Sequence, residues 1–163
     1  MDHEAERYIR TLGLEPHPEG GCYARTFEAT GAEGDGPLLY TSIYFLLRNG
    51  EVSHLHRLKS DELWYFHDGG PLDVHMLFLD GTSRTECLGL GTDRGERPQV
   101  LVPAGTIFGS EPAAGSSFSL VGCMVAPGFD FADFELFTQV ELLIDYPEHE
   151  GLIRRLAYRT LPE

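Results

Sequence analysis

The sequence predicts a mainly β protein, an antiparallel sandwich or barrel with one helix before it and two short helices after it. Three observations predict it. Short apolar segments recur through the middle of the chain, each ended by a turn of Gly, Pro, Asp or Asn. Helical spacing of apolar residues is confined to the two ends. The 19 glycines and 10 prolines are spread along all 163 residues, which suits many tight turns and disfavours a helical bundle.

In chain order, Ala5, Tyr8, Ile9 and Leu12 fall on one helical face, and Gly13 suits the C-terminal cap. Residues 17–29 hold a turn at Gly20-Gly21, then an extended segment. Paired glycines permit a sharp turn or a close backbone approach, and a strand crossing to a partner subunit is one expectation here. Residues 31–36 form a polar loop. Pro37 opens a continuous apolar run, residues 38–47, whose Tyr and Ile content and exit at Arg48-Asn49-Gly50 favour a buried strand. Further strands are expected at 51–58, 62–67, 72–79, 82–90, 100–102 and 117–125. Past Pro127-Gly128, the side chains of Phe129, Phe131, Phe134, Leu136 and Phe137 are expected to pack in the core. Thr138 and Glu141 read as a capping box, and Pro147 opens a last helix carrying Leu152, Ile153 and Leu156. These two helices are expected to close one end of the barrel. No linker divides the chain, so one domain over residues 1–163 is expected.

A formal net charge of −14, from 12 basic and 26 acidic side chains, leaves no basic stripe, and Lys59 is the sole lysine. Nucleic acid and anionic membranes are therefore excluded as partners. Cys22, Cys87 and Cys123 are odd in number, widely spaced and without a CxxC motif. They read as reduced, buried thiols in a cytoplasmic protein. Asp2-His3-Glu4 lacks the basic start of a signal peptide, and no apolar run approaches the ~20 residues of a membrane span.

The chemistry concentrates in residues 50–70. His54 and His56 lie two apart on an expected strand, so they should share one face, and Glu62 follows on the next. Two imidazoles and a carboxylate suit metal binding or proton transfer. The catalytic candidates are His56, Glu62 and His75. His75 lines the barrel if the odd face of 72–79 points inward and is a surface residue if the even face does. Tyr44, Trp64, Phe66 and Phe108 are candidate aromatic walls for a ligand or, equally, barrel core. Arg57, two residues beyond His56, either shares that face and binds a carboxylate or phosphate, or lies in solvent.

Gly50-x3-His54-x-His56-x5-Glu62-x6-Gly69 resembles the first motif of the cupin superfamily, and Pro103-x-Gly105 its second. The wider chain resembles a cupin subgroup described only as a domain of unknown function, on HPEGG (17–21), SxxHRLxSDExW (53–64), VPAG (102–105), VAPGFDFxDFEL (125–136) and YPEH (146–149). The resemblance implies a cupin-type jelly-roll β-barrel, a small-molecule pocket inside it, and a homodimer. It does not import a reaction, because cupins carry many chemistries on one fold. Two departures bear on metal. The spacing from His56 to Glu62 is one residue longer than in the general motif, enough to turn Glu62 away unless the turn absorbs it. Phe108 stands where a third histidine ligand would be. His54, His56 and Glu62 remain as a facial-triad-like set for Fe, Mn, Ni or Zn, while a metal-free pocket is the favoured expectation.

The function expected from these residues is small-molecule binding in the barrel, with isomerase or epimerase chemistry on a sugar or nucleotide-sugar. On that reading Glu62 or His56 moves a proton α to a carbonyl. The alternatives are a metal-dependent cupin isomerase or dioxygenase, and a non-enzymatic metabolite-binding module.

Overall fold

The computed structural model describes residues 3–163; Asp2, read above with the N-terminal charge pattern, lies outside them. Helix α1 (His3–Leu12) leads into β1 (Glu15–Pro16), β2 (Cys22–Ala29), β3 (Tyr40–Arg48), β4 (Ser53–Arg57), β5 (Asp61–Gly69), β6 (Leu72–Leu77) and β7 (Ser83–Leu88). After these come β8 (Gln99–Val102), β9 (Ile107–Pro112), β10 (Phe118–Ala126), β11 (Glu135–Leu136), α2 (Gln139–Asp145) and α3 (Glu150–Leu156). The strands form two antiparallel sheets, ordered β1-β2-β3-β10-β5-β8 and β11-β4-β9-β6-β7. Their inner faces enclose the core of a jelly-roll barrel.

Period-2 alternation decides which side chains enter that core. Phe45 and Leu47 of β3, Trp64 of β5, Val74 and Met76 of β6, and Val121, Cys123 and Val125 of β10 pack between the sheets. The opposite face of the six-stranded sheet presents Leu46, Phe118 and Leu120 to Ala5, Tyr8 and Ile9 of α1. Burying those outer apolar side chains is what docks α1 on the barrel, since an amphipathic helix gains most of its stability from such packing.

The C-terminal helices do not cap an end of the barrel. Leu142 of α2 and Ile153 and Leu156 of α3 pack on Leu55, Leu77 and Ile107, the apolar outer patch of the five-stranded sheet. That patch needs a covering layer, and a face offers more apolar surface than a barrel end. The capping box at Thr138 and Glu141 forms as the sequence predicts.

Strand β9 is absent from the expected strand list, yet it lies at the centre of its sheet, between β4 and β6. Gly109-Ser110-Glu111-Pro112 has poor strand propensity. Gly109 is there because β4 comes close: a Cβ would lie 2.6 Å from the Ser53 carbonyl oxygen. Among the described residues no helix is long and apolar enough to cross a membrane.

Candidate functional site

Between the sheets lies a cavity of about 490 Å³. Its polar wall includes Glu15, His17, Glu19, His56, Glu62 and Cys123, and Arg25, Tyr23, Phe129 and Phe131 also line it.

The loop before β2 delivers the first two of these residues. Gly20 and Gly21 have φ of 113° and 69°, a region that favours glycine, and a Cβ on Gly20 would overlap the Val52 carbonyl. The loop therefore lies directly on β4. There the Glu19 carbonyl accepts from the His54 backbone N–H (2.6 Å) and from His54 Nδ1 (2.7 Å). Tyr158 stacks on the His54 ring, with 3.5 Å between centroids, and its hydroxyl donates to the Pro18 carbonyl (2.8 Å). With its backbone held this way, Glu19 turns its carboxyl into the barrel. Ser53 Oγ donates to Oε1 (2.9 Å), and Oε2 lies 3.2 Å from His56 Nε2 and 3.6 Å from His17 Nδ1.

These contacts set the protonation states. His56 Nδ1 is 2.6 Å from the His54 carbonyl oxygen; a carbonyl only accepts, so Nδ1 carries the hydrogen and Nε2 keeps a lone pair. Burial pushes His56 down to about 4 and pushes Glu19 above the usual carboxylate range. His56 Nε2 therefore keeps its lone pair, and Glu19, when protonated, donates to it. At His17 the logic reverses. Nδ1 accepts from the Glu19 backbone N–H (3.1 Å), so the ring is neutral with its hydrogen on Nε2, and burial lowers its pKa. Tyr23 and Phe134 meet this ring edge-on, and Phe131 stacks on it. Glu62 faces the same cavity, only 6% exposed. Burial, and next the Glu19 charge, raise it to about 8; the Cys123 thiol is its hydrogen-bond partner.

Of the residues singled out in the sequence, His56 and Glu62 meet at the cavity. The turn at Lys59-Ser60 absorbs the longer spacing, and Glu62 points inward. His54 does not share the face of His56. The register of β4 against β9 shifts between Ser53 and His56, and this bulge breaks the alternation that would align the two rings. His75 lies on the outer face of its sheet, since the even positions Leu72, Val74 and Met76 fill the core. There Nε2 lies 3.1 Å from Glu111 Oε1 and Nδ1 2.8 Å from Thr85 Oγ1, so His75 is a buried structural histidine.

Tyr44 also faces outward, packed with Leu46 beneath α1 and edge-on to His67. Arg57 pairs with Glu135 (2.8 Å) and covers Phe137, away from the cavity. Trp64 and Phe108 are fully buried core, with Trp64 edge-on to Phe45 and Phe108, and Phe66 packs beside them. Phe108 touches the His56 ring, 4.1 Å between centroids; no other aromatic candidate reaches the site. By contrast, Phe129 and Phe131, expected as core, wall the cavity, and Phe131 is 51% exposed.

The four-ligand metal set of the general cupin pattern does not fit these residues. His54 diverges, its Nδ1 held by the Glu19 carbonyl; Phe108 offers no donor; and His56 Nε2 is engaged by Glu19. Among the described residues, no group of three or more His, Cys, Asp or Glu side chains is arranged to hold a metal ion.

Sequence reasoning missed His17, Glu19, Arg25 and Cys123. A signal for the first two existed: paired glycines directly after a histidine and a glutamate mark a backbone pressed against another strand. Nothing local marks Cys123, whose inward direction follows from its pairing with Trp64 and Ile43.

A hypothetical protein from Leishmania major is 43% identical to this chain, covering 94% of it and 98% of its own length, with a TM-score of 0.87. A Shewanella oneidensis protein solved by structural genomics is 50% identical over 96% of this chain and 98% of its own, with a TM-score of 0.91. Oxalate decarboxylase of Bacillus subtilis shares the fold alone: 17% identity and a TM-score of 0.56, over 92% of this chain and 40% of that one. Among curated proteins nothing matches. The family model described as cupin superfamily (DUF985) matches residues 6–137, and the chain belongs to that family.

Proposed function

We propose that the protein binds a small polar molecule in the barrel cavity and isomerises or epimerises it by proton transfer. The observation that carries this reading is the set of three buried titratable groups on one cavity, Glu19, His56 and Glu62, whose environments push their pKa values apart across neutrality. Such a separation is what assigns acid and base in an enclosed site.

Glu62, raised to about 8, is a far stronger base than an ordinary carboxylate once ionised. It removes a proton from the carbon next to a substrate carbonyl. The proton shared by Glu19 and His56 passes to the carbonyl oxygen, giving an enediol. Return of the proton from Glu62 to the other carbon, while the enediol hydroxyl on the first carbon gives its proton back to the Glu19–His56 pair, completes an isomerisation. For an epimerisation the enediol turns its opposite face to Glu62 before the proton returns, and the hydroxyl formed from the carbonyl gives its proton back to the same pair. Because Glu62 must lose its proton first, kcat/KM rises with pH up to about 8 and then levels.

The test is to find cavity ligands by thermal shift, then hold each in D₂O and follow its α-proton by NMR. Exchange is expected for the wild type and is lost in Glu62→Gln, with the affinity of a neutral ligand kept. Ligands that bind saturably without exchange would make the protein a binding module instead. The same reading carries a homodimer: β2 is paired along its length to β3 but to β1 only at Cys22 and Tyr23, leaving an edge for a second chain. Light scattering that gives a monomer mass would overturn the dimer.

A further inference from the structure

The cavity has an unbalanced charge inventory. Three carboxyl groups line it, Glu15, Glu19 and Glu62, against one cation, Arg25, which is already paired with Glu28 at 3.2 Å. The lone lysine, Lys59, is held by Asp133 at 2.9 Å and is not among the lining residues. The two histidines are neutral, His17 because its Nδ1 accepts a hydrogen bond and His56 because burial holds it at about 4. A phosphate or carboxylate entering here meets no free counter-charge, and its own charge opposes the ionisation of all three carboxyl groups.

Two further features point to the opposite charge. Tyr23, Phe129 and Phe131 line the same space, and aromatic faces attract cations through the ring quadrupole. Glu62 is aimed into the cavity, nearly fully buried, with only a weak thiol donor beside it. A carboxyl can accept several hydrogen bonds, so most of its capacity is unspent. Glu19, by contrast, is committed to Ser53 and His56.

We infer that the molecule the cavity takes carries a protonated amine, which Glu62 receives between the aromatic walls, and that phosphorylated or carboxylated molecules are excluded. An ammonium supplies the donors and the counter-charge that the ionised form of Glu62 needs, and the positive charge the ring faces favour. The overall charge of −14 draws such a ligand towards the protein. This inference rests on the cavity being the ligand site proposed above and names the ligand's chemistry.

The test uses matched probes: glucosamine, ethanolamine and benzylamine against glucose, ethylene glycol and benzyl alcohol, and against glucuronate, glycolate and benzoate. Each is titrated calorimetrically into the intact protein. At least one amine is expected to saturate, with its neutral match about 10-fold weaker or more and its acid silent, as a charge-assisted hydrogen bond implies. Glu62→Gln should weaken the amine by about 10- to 100-fold and leave neutral probes unchanged. Phe131→Leu, at a half-exposed position that keeps the fold, should weaken it by about 2- to 5-fold.

Any of three results overturns the inference: no amine saturates, acids or alcohols bind as well as their matched amines, or Glu62→Gln leaves amine affinity intact. The two readings fail separately. Proton exchange in a neutral ligand without amine binding sinks this inference and leaves the proton-transfer reading standing. Glu62-dependent amine binding without exchange does the reverse.

Discussion

Replacing Glu62 by Gln should make the protein more stable at pH 8 while having little effect at pH 5. In the unfolded chain Glu62 ionises at its ordinary value of 4.5, whereas in the folded barrel burial and the neighbouring Glu19 hold it at about 8. Between those values the unfolded chain gives up a proton that the folded one keeps. Stability from this group is therefore full below 4.5, falls as pH rises, and is lost by about 8. A displacement of that size, at tenfold in proton affinity per pH unit, destabilises the charged folded form by about 3 to 5 kcal/mol. The amide that replaces the carboxyl does not titrate. The gap between variant and wild type should thus widen by about 10 °C in melting temperature between pH 5 and pH 8 for a chain of this length. His56 acts in the opposite sense: its folded value of about 4 lies below the ordinary 6.5, so stability is lost as pH falls through that window. It is present in both proteins and cancels in the gap, which is why thermal melts of the pair are the assay. Parallel melting curves from pH 5 to 8 would refute the claim that Glu62 is held protonated by the fold.

Gly20→Ala should lower stability by about 3 kcal/mol or more, because a Cβ there overlaps the Val52 carbonyl at a φ of 113°; a melting temperature within about 2 °C of wild type would show that the loop can lift off β4 freely. His75→Gln should cost about 1 to 2 kcal/mol through its bonds to Thr85 and Glu111, yet leave every cavity ligand's affinity unchanged in titration. Saturating Mn²⁺, Ni²⁺ or Zn²⁺ should move the melting temperature by less than about 1 °C, since a ligand of the native state would raise it in proportion to occupancy; a rise of several degrees would mean that His54 and His56 can be re-aimed towards one ion.

The barrel was legible in the sequence because turn residues and apolar segments are local signals, and residues 38–47 and 117–125 indeed become the adjacent strands β3 and β10. The capping box at Thr138 was legible for the same reason: it involves side chains only three residues apart. Part of the candidate site was legible too: His56 and Glu62 stand out by chemistry and by the first motif they share, although whether Glu62 turns inward depends on the turn at Lys59-Ser60. What tertiary structure alone decided is how strands meet. A single bulge in β4 parts His54 from His56, and period 2 cannot announce where it fails. Which face of β6 turns inward depends on the helices that cover the other one, so His75 could not be placed from its own segment. Glu19 reaches His56 across 37 positions of sequence only because the backbone at Gly20 lies on Val52. The chain by itself determines its elements and the two buried titratable groups of β4 and β5. Long-range pairing, which no local pattern encodes, determines their partners, their protonation and the cavity they face.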